Sequence, residues 1–143
     1  MIFSECYSQG LLNAGQIRNA LEQGLANRFT RQKVLVLVPD HTRSMPFAQL
    51  FPQIVEILAS TSQLDFMVAL GTHPPLSQTH LLGLFGITAE ERQEKYAHIG
   101  LFNHAWDDPS ALATLGTMEQ DEIKALSGDS WHPSLPERVA IRI

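Results

Sequence analysis

Cysteine is all but missing from this chain, and that scarcity is the first constraint. Cys6 is the only one among 143 residues, so no internal disulfide can form and a reducing cytoplasm is the default compartment. Basic excess is missing too: 10 Lys and Arg stand against 15 Asp and Glu, a net charge of −5. A phosphate backbone calls for a basic surface, so this balance argues against nucleic acid as a partner. No apolar run approaches the roughly 20 residues needed to span a bilayer. The start Met1-Ile2-Phe3-Ser4-Glu5-Cys6 lacks the basic segment and apolar core of a signal peptide, so no membrane partner is expected. Neither common phosphate loop occurs, G-x-G-x-x-G after a strand or G-x-x-x-x-G-K-[ST], and the metal spacings C-x-x-C and H-x-x-x-H are absent as well.

What is present points to an ordinary globular domain. Hydrophobic residues make up 44% and charged residues 17%, enough apolar material for one sizeable core. The run Val34-Leu35-Val36-Leu37-Val38 reads as a strand buried on both faces. Pro39 ends it, having no N–H to donate. Four polar residues come next: Asp40, His41, Thr42 and Arg43.

Two more apolar strands are expected, Leu64 to Leu70 and Ile99 to Phe102. Helices are expected from the Asn13/Gln16 capping box, after Ser44 and Pro46, from Ser77 to Leu84, and from the Thr88/Glu91 capping box to Lys95. Pro52 predicts a late start near Phe51, or a kink, in the second of these. Ala111 to Met118 reads as a fourth strand, and Glu119 to Ser130 as a polar loop. Alternation of strand and helix indicates βαβ crossovers, hence a parallel sheet with helices on its faces.

Each of the three strands runs into a polar cluster, starting at Asp40, Thr72 and Asn103. Arg43 to His73 spans 30 residues and His73 to His104 spans 31, about one βαβ unit each. In a parallel sheet the clusters share the carboxyl edge, where open α/β folds bind ligands, and His41, His73 and His104 are expected to converge there. Arg43 suits bidentate capture of a carboxylate or phosphate, with Thr42 and nearby backbone N–H groups as further anion contacts. The plain alternative is that Asp40 and Thr42 cap the loop while Arg43 pairs with Asp40. His73, held between Gly71 and the pair Pro74-Pro75, suits a general acid/base; the alternative is a turn histidine bonded to a neighbouring carbonyl. His104, near Asn103, Asp107 and Asp108, has the weaker context. His80, His98 and His132 are read as surface or structural.

In their order and separations, Pro39-Asp40-His41-Thr42-Arg43, Ala69-Leu70-Gly71-Thr72-His73-Pro74, Asn103-His104 through Asp108, and Leu115-Gly116-Thr117 resemble the N-terminal domain of the nickel-dependent lactate racemase family. The resemblance covers roughly residues 33–118 and continues more weakly to the end. It implies a Rossmann-like three-layer α/β domain with a mostly parallel sheet flanked by helices. It also implies racemisation or epimerisation of 2-hydroxy acids with a nickel pincer nucleotide, a pyridinium mononucleotide that holds nickel through sulfur and carbon. Under it, Asp40, His41, Thr42 and Arg43 correspond to the cofactor-binding segment, Arg43 also holds the substrate carboxylate, and His73 is one of two acid/base histidines.

The family's second acid/base histidine, cofactor-attaching lysine and nickel-ligating histidine belong to a P-H-x-x-x-G-x-S-G-G-x-K-like segment and beyond, which this chain lacks. Val139-Ala140-Ile141-Arg142-Ile143 reads as a strand stopped in mid-pattern. Residues 1–143 are therefore expected to be an incomplete N-terminal α/β domain, inactive alone, that neither tethers the cofactor nor ligates nickel through protein. Its expected partners are a 2-hydroxy acid and a C-terminal domain or complementing chain, with homo-oligomerisation through an exposed edge left open. Two other readings stand beside it: a non-catalytic nucleotide- or carboxylate-binding module, and a metal-dependent hydrolase built on Asp40, His73 and His104.

Overall fold

The Asn13/Gln16 capping box forms as expected and opens helix α1, Ala14–Leu25, with the Asn13 side chain accepting from the Gln16 N–H and the Gln16 side chain from the Asn13 N–H. The computed structural model describes residues 6, 8, 10–71, 73–128 and 138–142. These fall into two compact units, Met1–His104 and Ala105–Ile143.

In the first unit, α1 is followed by β1 (Lys33–Val38), α2 (Phe47–Ile57), β2 (Gln63–Val68), α3 (Gln78–Phe85), α4 (Ala89–Glu94) and β3 (Gly100–Asn103). The strands make a parallel sheet in the order β1-β2-β3. This is the α/β sheet flanked by helices that the strand–helix alternation predicts. Its register matters for function. Val38 pairs with Val68 and Val68 with Asn103, so all three strands end level. The Ala69 N–H donates to the Val38 carbonyl at 2.8 Å and the His104 N–H to the Val68 carbonyl at 3.0 Å, carrying the alignment one step past the strands.

The core is an aromatic cluster between sheet and helices. Phe47 and Phe51 of α2, Phe66 of β2, Phe85 of α3 and Tyr96 are all buried. Phe51 meets Phe66, Phe85 and Tyr96 at ring-centroid distances of 5.0, 4.9 and 4.9 Å, mostly edge-on. Each such ring contributes roughly 1.5–3 kcal/mol by burial, plus a smaller share from edge-to-face geometry. Gly86 ends α3 in the left-handed region, at φ +69°, where a side chain would also overlap Ala48 of α2. Arg18 of α1 holds Glu56 of α2 through two guanidinium nitrogens while its Nε donates to Glu22.

Several expectations are corrected. β1 is not buried on both faces: Leu35 and Leu37 are 51% and 65% exposed. The order β1-β2-β3 makes β1 an edge strand of this sheet, and its burial alternates along the strand. Alternate residues of β1 thus turn away from the helices, and Phe102 of β3 is likewise exposed. Helix α2 starts at Phe47 and runs through Pro52. The lost backbone donor costs one intrahelical bond, and the buried faces of Phe47, Phe51 and Ile54 offset it.

In the second unit the expected fourth strand is shorter at its start. A 3₁₀ turn takes Pro109–Ala111, and β4 covers Thr114–Glu119, paired antiparallel with β5, Arg138–Arg142. The segment read as a polar loop holds helix α5, Gln120–Ser127. A Glu119/Glu122 capping box starts it, Ile123 is its buried contact, and Gly128 closes it at φ +57°. Its apolar positions are few, and only Ile123 among them is buried. Among the described residues no helix is long and apolar enough to cross a membrane.

Candidate functional site

The level strand ends place the loops after β1, β2 and β3 along one edge of the sheet. Pro39 releases the chain from β1, and Asp40 turns it: the Arg43 N–H donates to the Asp40 carbonyl at 3.2 Å. The Asp40 side chain folds into the same turn, where Oδ1 accepts from the Thr42 backbone N–H at 3.0 Å and from the Thr42 hydroxyl. This is an Asx-turn. Its second oxygen reaches the next loop. Oδ2 lies 2.8 Å from His73 Nδ1, joining the loop after β1 to the loop after β2.

Asp40 is buried while the His73 side chain is half exposed. The Thr42 hydroxyl above all, with the Thr42 N–H and His73, holds the Asp40 carboxyl below its ordinary value of 3.8, so it is ionised at neutral pH. A carboxylate only accepts, so His73 Nδ1 carries the hydrogen. In the neutral ring this fixes Nε2 as the basic nitrogen. Carboxylate and imidazole thus form an oriented acid/base couple.

Asp40, Thr42, Arg43 and His73 line one cleft of about 340 Å³, with Pro39, Ala69 and Gly71 completing it. Arg43 is exposed, and its guanidinium has no hydrogen-bond or ion-pair partner among the described residues. The alternative in which Arg43 pairs with Asp40 is therefore not what forms, although Asp40 and Thr42 do cap the loop. His41 is exposed and lines a neighbouring cleft of about 610 Å³, which shares Arg43 and includes Met45 and His80.

His104 sits at the same edge but does not join the couple. Its Nδ1 is 2.8 Å from the Leu70 carbonyl. The three histidines do not converge: no three metal-ligating side chains come together among the described residues. The hydrolase reading loses its ligand set on that geometry. Asp108 caps the 3₁₀ turn, accepting from the Ser110 N–H and hydroxyl, and those bonds hold its carboxyl below the ordinary value. His80 and His98 are exposed; His132 lies outside the described residues, as does Thr72. A further cleft, about 530 Å³, lies beside the start of β2 and includes Gln63, Lys95 and His98, away from the acid/base couple.

One residue of this edge escapes sequence reasoning. Asn103 binds the backbone of Leu76 at both ends of its amide: the Leu76 N–H donates to Oδ1 at 3.1 Å and Nδ2 donates to the Leu76 carbonyl at 2.9 Å. The sequence places it at the end of a strand, at the head of the third polar cluster beside His104, but does not show its bonds to Leu76.

Comparison with known proteins agrees with this architecture. A crystal structure of a Thermotoga maritima protein superposes with a TM-score of 0.74 at 22% identity, covering 92% of this chain and 30% of that one. At that identity the likeness speaks to fold, and the chain spans 30% of the length of the solved protein. No curated protein matches the chain. The family model of the lactate racemase N-terminal domain matches residues 5–124. The match takes in both loops of the acid/base couple and most of the chain, which belongs to the lactate racemase N-terminal domain family.

Proposed function

We propose that this chain is the cofactor- and substrate-binding N-terminal part of a 2-hydroxy-acid racemase or epimerase that uses a nickel pincer nucleotide. The observation that carries the reading is the Asp40–His73 couple, 2.8 Å across, in one cleft with Arg43, whose guanidinium has no partner among the described residues. Such a site holds a carboxylate and moves a proton beside it.

In this reading Arg43 grips the substrate carboxylate with its two-pronged guanidinium, which brings the neighbouring hydroxyl toward His73. Nε2 of His73 accepts the hydroxyl proton as the carbon centre is opened and returns it when the centre closes with inverted configuration. Asp40 keeps the ring in one tautomer and stabilises the imidazolium. Buried and ionised, it supplies that charge without rearranging.

The anionic groups of a mononucleotide fit Arg43 and the adjoining cleft with His41. No cluster of three ligating side chains exists among the described residues, so the side chains present do not fit nickel by themselves. When bound, the cofactor would accept the hydrogen that leaves the carbon as hydride, with its electron pair, and return it.

The test is a titration of the chain with D- and L-lactate, followed by the Arg43 and His73 side-chain signals in NMR. Saturable shifts of both signals are expected in the wild type, and the His73 shift is lost in R43A. Shifts that persist in R43A, or none at millimolar lactate, overturn the carboxylate role.

A further inference from the structure

We infer that Asn103 and His104 are positioning residues for His73, and that together they clamp the loop carrying it. This rests on the acid/base reading of His73 given above.

His73 lies midway between Leu70 and Leu76, three residues from each. Both leucines are buried, so they form the two feet of the loop. Pro74 and Pro75 have no N–H, so the first donor after His73 is the N–H of Leu76. That donor is taken by Asn103 Oδ1 at 3.1 Å, and the Leu76 carbonyl by Asn103 Nδ2 at 2.9 Å. One amide thus imitates a strand partner at the far foot. At the near foot, His104 Nδ1 lies 2.8 Å from the Leu70 carbonyl. A carbonyl only accepts, so this nitrogen carries the hydrogen. The backbone of His104 is fixed in turn, its N–H donating to the Val68 carbonyl at 3.0 Å.

Both feet are therefore held by two adjacent residues at the end of β3, while Asp40 and Arg43 stand on the loop after β1. The two functions of the cleft are mechanically separate. Arg43 owes its place to the first loop. His73 meets Asp40 only if the second loop is held at the right height, and β3 sets that height. An asparagine suits the far foot because it offers one donor and one acceptor at the spacing of a peptide. At the near foot only Nδ1 of His104 is used. Asparagine places its amide nitrogen where the histidine has Nδ1, so H104N should replace the clasp, whereas it could not replace a proton-transferring imidazole.

The experiment uses the full chain labelled with ¹⁵N and tracks three readouts: the ring nitrogens of His73, exchange of the Leu76 amide hydrogen, and lactate binding. In N103A and H104A the His73 ring signals move to where D40N puts them, because the bond to Asp40 is lost. Leu76 exchange rises about tenfold in N103A, the scale of one lost hydrogen bond. Lactate affinity stays within about twofold, because Arg43 is untouched. H104N keeps the wild-type His73 signals. The milder N103D retains the acceptor for the Leu76 N–H but loses the donor to its carbonyl, and gives a partial shift if N103A does not fold. Unchanged His73 signals in folded N103A, or in N103D, overturn the clamp, as does an H104N protein indistinguishable from H104A. Failure of lactate to bind the wild-type chain overturns the carboxylate reading and leaves the ring-nitrogen result standing, so the two failures are distinct.

Discussion

His73 and Asp40 are 33 residues apart in sequence and 2.8 Å apart in space, and the level endings of β1 and β2 bring them together. The bond ties the loop after β1 to the loop after β2. It orients an imidazole that is otherwise half exposed, beside a carboxylate that is almost wholly covered.

Acid should test this couple. The Asp40 carboxyl is held below 3.8 in the folded chain, so its contribution to stability is complete above that value and disappears as pH falls through the lower, folded-state value. Melting measured by circular dichroism from pH 7 to pH 2 should show a steeper acid loss in the wild type than in D40N. Parallel curves would mean that Asp40 contributes no linkage.

Replacing Arg43 should separate binding from folding. R43A removes an exposed side chain with no partner among the described residues, so stability should change by no more than surface substitutions do, roughly 0.5 kcal/mol. Affinity for a 2-hydroxy carboxylate should drop about 10- to 100-fold, the scale of a charge-assisted fork. R43K should recover only part, because an ammonium lacks the planar fork. Calorimetric titration of the three proteins measures this directly.

Turnover should depend on His73. In a longer family protein carrying this domain, H73A should lower kcat about 10²- to 10⁴-fold, the usual worth of a positioned acid/base group, with cofactor content unchanged by absorbance. A variant that inverts lactate at the wild-type rate would remove His73 from proton transfer.

The aromatic core should be intolerant of truncation. F51A empties the centre of the cluster formed with Phe47, Phe66, Phe85 and Tyr96, and roughly 3–5 kcal/mol of stability should go with it. Urea unfolding should show a matching fall in midpoint.

Gly86 should be nearly as restrictive. G86A forces a side chain into the left-handed region and against Ala48, and a loss of about 1–3 kcal/mol is expected. Paired with A48G, which removes the obstructing methyl group, G86A should cost less than it does alone.

What could be read from the sequence was local or periodic. Pro39 marks the end of β1 and Asn13, Ser77 and Thr88 mark helix starts, because each acts through its own backbone or that of near neighbours. The shared edge of the polar clusters came from spacing alone. The grip of Asn103 on Leu76 could not be read, since it joins residues 27 apart through an amide that looks like any turn asparagine. Helix α5 was missed because its signal is a Glu119/Glu122 cap and one apolar contact, Ile123. The exposed side of β1 was missed because Val34 to Val38 looks the same at a sheet edge as at its centre. Arg43 had two partners open to it in sequence, Asp40 or a ligand, and the geometry removes the first, since Asp40 is bound by Thr42 and His73.

Thr42 stands behind that choice. Its hydroxyl and N–H hold one oxygen of Asp40 while His73 holds the other. The carboxylate nearest to Arg43 in the chain is thereby kept from neutralising it. A valine at position 42 would preserve the bulk and remove the hydroxyl's bond to that oxygen, leaving it only the backbone N–H. With Thr42 in place, both oxygens of Asp40 are spoken for within the two loops, and the Arg43 guanidinium is left without a partner among the described residues.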